Sequence, residues 1–242
     1  MRKFEVFILG LVCVSLCCCD KKAPPALITP SFTNKNAVLA KAQSGAVIKI
    51  ACEGTSLTYG EDIGGTDTTA EAPGFVNGPT RAIYQYPSTL AATITNAKVV
   101  ISMRGYPGDR TTEGLLRWKD STSADICIIE YGSNDAYNFA GYASGAVPVS
   151  VYKTQLEQLV QRRLNQGAWV MLCLSPYLSN GDTTITAYRN AAAAVANEFS
   201  LETFDIQASI AQLQSPYSDL VHLNSMGYRK WGVDIAALFY QL

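Results

Sequence analysis

Several things are scarce in this chain. Its 242 residues include one histidine, so any imidazole chemistry falls to His222. A net charge of −1 leaves no basic surplus to attract a phosphate backbone, which argues against a nucleic-acid partner. Disulfide-forming cysteine is also short. Of seven cysteines, Cys13, Cys17, Cys18 and Cys19 crowd into the N-terminal stretch. Cys52, Cys127 and Cys173 each sit in a separate apolar run, where cysteine behaves as a small hydrophobe. An odd number on separate strands makes no framework, so no structural disulfide is expected. No internal repeat and no low-complexity tract is visible. The uncharged run near the N-terminus, Val6 to Cys19, falls short of the ~20 residues that span a bilayer.

What is present suits a globular α/β protein. The length fits one larger domain or two small ones, and 48% hydrophobic residues against 16% charged ones permit a large core. Residues 1–19 read as a leader, with Arg2 and Lys3 ahead of the apolar run. That run closes on Cys17-Cys18-Cys19, followed by Asp20-Lys21-Lys22, and resembles a bacterial lipoprotein signal. The resemblance implies lipidation at Cys19 and an exported, cell-envelope location. It departs from the pattern in having cysteines where Ala, Gly or Ser are usual, and in Glu5. A plain signal peptide or an uncleaved membrane anchor is the alternative. Residues 20–44, with Pro24, Pro25 and Pro30 and no clear period, read as a tether. The folded domain is expected over 45–242.

Within that domain, apolar runs alternate with amphipathic stretches. Strands are expected at 46–52, 97–103, 125–130, 168–175 and 201–206. Helices are expected at 86–94, 113–118, 150–165, 184–199 and 224–242. Residues 61–80, rich in Gly, Thr, Asp and Pro, read as a long surface loop of functional or mobile character. This alternation predicts a three-layer α/β/α sandwich around a five-stranded parallel sheet, with right-handed crossovers.

Four turns then draw the eye. Gly54-Thr55-Ser56-Leu57-Thr58-Tyr59-Gly60 follows the first strand, so Ser56 lies at the carboxyl edge, where open α/β sheets bind ligands. It is either an N-cap or a nucleophile. Gly105-Tyr106-Pro107-Gly108-Asp109 follows the second strand, and Gly132-Ser133-Asn134-Asp135 the third. An oxyanion needs preorganised donors, and a glycine N–H at Gly108 or the Asn134 amide would serve. Each is equally readable as an ordinary turn residue. In Asp219-Leu220-Val221-His222 the carboxylate lies one turn before the imidazole, close enough to orient it and leave its other nitrogen for a serine hydroxyl. A loop carboxylate or cap is the plainer reading of Asp219.

In this order the four turns resemble the blocks of the SGNH (GDSL-like) hydrolase family, over about residues 47 to 240. Asn224 to Trp231 looks like the family's closing helix. The resemblance implies a flavodoxin-like fold, with Ser56 as nucleophile, His222 as base then acid, and Asp219 as its orienter. It implies an oxyanion hole from the Ser56 and Gly108 N–H groups and the Asn134 side chain, with no metal and no cofactor. Thr55 stands where the family usually has Asp, which predicts altered hydrogen bonding in the turn. Met103 stands where an asparagine often precedes the glycines of the second block, which predicts altered support of that loop.

The expected activity is carboxylic ester hydrolysis through an acyl-enzyme. Tyr59, Tyr106 and Tyr137, with Tyr131, Tyr142 and Tyr177, fall on or beside the same edge. Hydroxylated rings suit sugar faces, so a carbohydrate O-acetyl esterase acting on a small-molecule or glycan ester is expected, with Tyr59, Tyr106 and Tyr137 binding substrate. Tyrosine also simply suits half-exposed positions. The alternatives are a lysophospholipase or thioesterase of the same family, and a catalytically silent glycan-binding surface module. A monomer is expected, with membrane contact only through the N-terminal segment.

Overall fold

Aliphatic and β-branched residues occur in short runs, and those runs build the sheet. The protein is described by a computed structural model, which covers residues 32–66, 80–119 and 124–242. The strands are β1 (Ile48–Gly54), β2 (Val99–Gly105), β3 (Ile126–Glu130), β4 (Trp169–Leu174) and β5 (Glu202–Asp205). All pair in parallel, in the order β2-β1-β3-β4-β5. The five-stranded parallel α/β architecture matches the expectation. β1 begins two residues later than expected and runs on through Gly54, because it bonds to a neighbour on each side up to that residue.

Side chains alternate across the strands, and both faces are apolar. Ile48, Ile50, Ile128 and Met171 point to one face, and Ala51, Cys127, Ile129 and Val170 to the other. The first face is covered by α1 (Phe32–Gln43), α3 (Tyr86–Thr93) and α9 (Ser225–Ala236), through Val38, Leu90 and Trp231. The second is covered by α6 (Val149–Asn165) and α7 (Thr186–Phe199), through Leu159 and Val195. α4 (Thr111–Arg117) packs beside α6. Beneath this second layer Glu53, fully buried on β1, is neutralised by Arg163 at 2.6 Å and Arg104 at 3.2 Å. Cys52, Cys127 and Cys173 are buried and free.

Some elements depart from the expected pattern. Part of the stretch read as a tether is α1. Among its described side chains Val38 and Ala42 are the buried apolar ones, too few to mark a clear period in the sequence. It is held by tertiary bonds instead. Asn34 donates to the Ala168 carbonyl at 2.9 Å, and Lys41 reaches Asp125 at 2.7 Å. Three single-turn helices, α2 (Ser56–Tyr59), α5 (Ser133–Tyr137) and α8 (Ile206–Ile210), are too short to show a period. The closing helix ends at Ala236 and continues as one 3₁₀ turn over Ala237–Phe239. The leader with Cys19, the first part of the tether and positions 67–79 of the loop lie outside the described residues. Among the described residues no helix is long and apolar enough to cross a membrane.

The sheet order sets the position of the crevice. From β1 the chain moves to one side to form β2, then to the other to form β3. Loops leaving β1, β2 and β3 therefore separate above β1, at the kind of switch point where α/β sheets open a cleft.

Candidate active site

Register brings the first three turns to one level. Gly54 pairs with Gly105 on one side and Glu130 on the other. Neither glycine has room for a side chain. A Cβ on Gly54 would lie 2.2 Å from Thr58 Oγ1, and one on Gly105 only 2.1 Å from the Tyr59 backbone nitrogen. The chain between them folds at once into α2. Thr55 caps it by accepting the Leu57 N–H at 3.2 Å, and Gly60, at φ +86°, ends it. Ser56 is the first residue of this turn, where backbone N–H groups have no helical partner.

Thr55 has a partner that sequence reasoning missed. Its hydroxyl donates to Glu130 Oε2 at 2.8 Å, from the end of β3. Glu130 is fully buried, and its other oxygen accepts from Ser175 Oγ at 2.7 Å. Burial pushes the Glu130 carboxyl upward, against the pull of the Ser175 and Thr55 hydrogen bonds. The altered bonding expected from Thr55 is thus a bond to a carboxylate on the neighbouring strand. The signal was an acidic residue closing an otherwise apolar strand.

The lone histidine arrives from the other end of the chain. Tyr217 and Leu223 form an antiparallel bridge that pinches off the loop between them. Within it Asp219 Oδ1 accepts the backbone N–H groups of Val221 and His222, both at 2.6 Å. Its Oδ2 lies 2.7 Å from His222 Nδ1, and His222 Nε2 lies 2.9 Å from Ser56 Oγ. Burial works against the charge on Asp219, but the bonds from His222 and Val221 outweigh it and lower its pKa. Ser56, His222 and Asp219 are therefore in contact in that order. A second carboxylate stands on the open side of the ring. Glu61 Oε2 is 3.6 Å from His222 Nε2. Burial raises the Glu61 pKa; the imidazole pulls it down and Asp219 pushes it up. By sequence Glu61 is merely the first residue of a polar loop.

The second and third turns face the serine across a cavity of about 340 Å³. Ser56, His222, Glu61, Gly108 and Asn134 line it, with Pro107 and Phe139 among the walls. Gly108 sits at φ +83°, which excludes most side chains. Asn134 spends one amide hydrogen on the Asp109 carbonyl at 3.0 Å and keeps a second. Asp109 is gripped by Arg117 at 2.7 and 2.9 Å. Asp135, buried next to Asn134, accepts from the Thr111 hydroxyl at 2.6 Å and its N–H at 3.0 Å. Burial nevertheless pushes Asp135 up to about 6.

The three tyrosines expected to hold substrate do not line this cavity. Tyr59 is 2% exposed, packed into the core behind the serine turn. Tyr106 lies under the Arg117 guanidinium, 3.3 Å from its ring centre. Tyr137 donates to Asp182 Oδ1 at 2.9 Å and stacks on Phe139. Each is already committed to protein partners, by burial, by a ring face or by its hydroxyl. Met103 lies in β2 opposite Cys52, below the loop it was expected to influence. Among the described residues no group of three His, Cys, Asp or Glu side chains could hold a metal ion.

Among solved structures with the same fold, three are described as esterases. An aryl esterase from M. smegmatis matches with a TM-score of 0.62 at 17% identity, covering 81% of this chain and 99% of that one. An acetyl xylan esterase, AlAXEase, matches at 0.61 and 18%, covering 80% and 98%. A carbohydrate acetylesterase from Sinorhizobium meliloti matches at 0.55 and 18%, covering 79% and 98%. No curated protein matches the sequence. Residues 52–230, which hold every side chain of the cavity, match the GDSL-like Lipase/Acylhydrolase family, and the chain belongs to that family.

Proposed function

We propose that this protein is a serine esterase that removes small acyl groups, above all acetyl, from carbohydrate hydroxyls. The observation that carries the reading is the unbroken contact from Ser56 Oγ through His222 to Asp219, opening on the cavity. Ser56 Oγ attacks the ester carbonyl carbon while His222 Nε2 takes its proton. The new C–O bond turns the carbonyl oxygen into an oxyanion, received by the Gly108 and Ser56 N–H groups and the free Asn134 amide hydrogen. As the intermediate collapses, the bond to the alcohol oxygen breaks and His222 returns the proton to that oxygen. Water then repeats the path on the acyl-serine, releasing the acid.

Two things support an acetylated sugar over a long-chain lipid. At about 340 Å³ the cavity lies at the small end of ligand sites. Structures of like fold include acetyl xylan and carbohydrate acetyl esterases. The test is turnover of p-nitrophenyl acetate and of acetylated xylan, beside an acyl-chain-length series. Acetyl should be preferred, and Ser56→Ala should abolish both turnover and labelling by a fluorophosphonate. Undiminished turnover in Ser56→Ala, or no labelling of the native protein, overturns the reading.

A further inference from the structure

Glu61 is unexplained by the proposed relay, yet its placement is firmly determined. Its N–H donates to the Ser56 carbonyl at 3.0 Å, and its own carbonyl accepts from the buried Tyr228 hydroxyl at 2.9 Å. These bonds fix the backbone from which the side chain reaches the ring. Its carboxylate lies 3.6 Å from His222 Nε2, the nitrogen that touches Ser56 Oγ at 2.9 Å. In an acyl transfer through Ser56 that nitrogen also hands the proton to the departing alcohol. The space beside Nε2 is therefore where the alcohol half of the ester lies, opposite Gly108 and Asn134. Glu61 and His222 are the ionisable side chains among the described residues lining the cavity, and Glu61 is the acidic one. Asp219, the other charged group against the ring, sits at Nδ1, on the side away from the serine.

The geometry points to Glu61 as the residue that reads the alcohol half of the ester, admitting neutral polyol or cationic alcohols and rejecting anionic ones. This rests on the esterase reading above and sharpens its substrate class. A sugar hydroxyl next to the ester oxygen finds an acceptor at Oε1 or Oε2. A phosphate or carboxylate on the alcohol meets a like charge in a partly desolvated site, where such repulsion is poorly screened. The lysophospholipid alternative, with its phosphate headgroup, is disfavoured on this ground.

The test uses phenyl acetates carrying a trimethylammonium, a tert-butyl or a carboxylate group on the ring, assayed at pH about 8. The intact protein should rank kcat/KM for cation, neutral and anion in that order, after correction for the hydroxide-catalysed rates. Glu61→Gln, which keeps size and removes charge, should narrow the cation-to-anion ratio by about tenfold or more. Glu61→Asp should keep the native order. A ratio, unlike a rate, cancels any general loss of activity caused by disturbing the serine turn. Should the Gln variant fail to fold, the order in the intact protein decides. A native protein that cleaves aryl acetates without the expected order, or a Gln variant with the native ratio, overturns this inference alone. A native protein that cleaves none of them and resists a fluorophosphonate overturns the esterase reading together with it.

Discussion

Asp219→Asn changes one atom of the proposed relay and leaves its scaffold in place. The amide oxygen can still accept the Val221 and His222 N–H groups that Oδ1 holds at 2.6 Å, so the loop keeps its shape. What changes is Oδ2, now an NH₂ facing His222 Nδ1 from 2.7 Å. An NH₂ cannot accept from Nδ1–H. The ring adopts the other tautomer, with the proton on Nε2, where Glu61 at 3.6 Å welcomes it. In that tautomer Nε2 has no lone pair for the serine proton.

The lost charge adds to the effect. Unit charges about 4 Å apart interact by about 4 kcal/mol at an effective dielectric near 20. The His222 and Asp219 side chains are 15% and 21% exposed, so water trims this figure without abolishing it. At 1.36 kcal/mol per tenfold, loss of imidazolium stabilisation and of the reactive tautomer together give about a 1000-fold fall in kcat. The assay is p-nitrophenyl acetate turnover, with urea unfolding run alongside. KM and stability should change little, whereas Asp219→Ala should also lose stability because it removes both loop bonds. A fall in kcat of less than about tenfold would refute the assigned role of Asp219.

Three further outcomes are expected. Asn134→Ala removes the cavity-facing amide and should lower kcat about 100- to 1000-fold, the usual cost of one oxyanion donor, with KM nearly unchanged; a change confined to KM contradicts that role. Thr55→Val removes both the cap on Leu57 N and a donor to the buried Glu130, and should cost about 2–4 kcal/mol by urea unfolding, while Thr55→Ser restores most of it; a Val variant as stable as the native protein argues against the coupling. Asp135 is harder to ionise in the folded chain, at about 6, than its ordinary value of 3.8, so it subtracts stability as pH rises through that window, by up to about 3 kcal/mol above it. Asp135→Asn should therefore gain stability relative to the native chain between about pH 4 and pH 7, and a pH-independent difference would contradict the burial argument.

Much of the fold was legible because its signals are local. Ile126 to Glu130 and Trp169 to Leu174 are apolar enough to require cover on both faces, and helical stretches of the right length separate them. That pattern alone implies a parallel sheet. The turns after three strands offered Ser56, Gly108 and Asn134, and a carboxylate one turn ahead of the single histidine offered Asp219 and His222; each alone read as well as an ordinary turn residue or cap, and the order of the four blocks, resembling a known family, gave them roles. The helix over Phe32–Gln43 escaped notice because tertiary bonds through Asn34 and Lys41 hold it, and these leave no period in the sequence.

The order of residue types along the chain dictates what ends each strand, and so which side chains stand on one rim. What each of them touches is a matter of packing. Tyr59 and Tyr106 looked like substrate ligands by position, but packing turned one into the core and laid the other under Arg117. Glu61 and Glu130 looked like a loop residue and a strand end. One faces the cavity at His222 and the other braces the serine turn through Thr55. The physical reason is that pattern along a chain fixes the face on which a side chain emerges. Its partners come from strands and loops far away in sequence, and only the packed sheet brings those to a common edge.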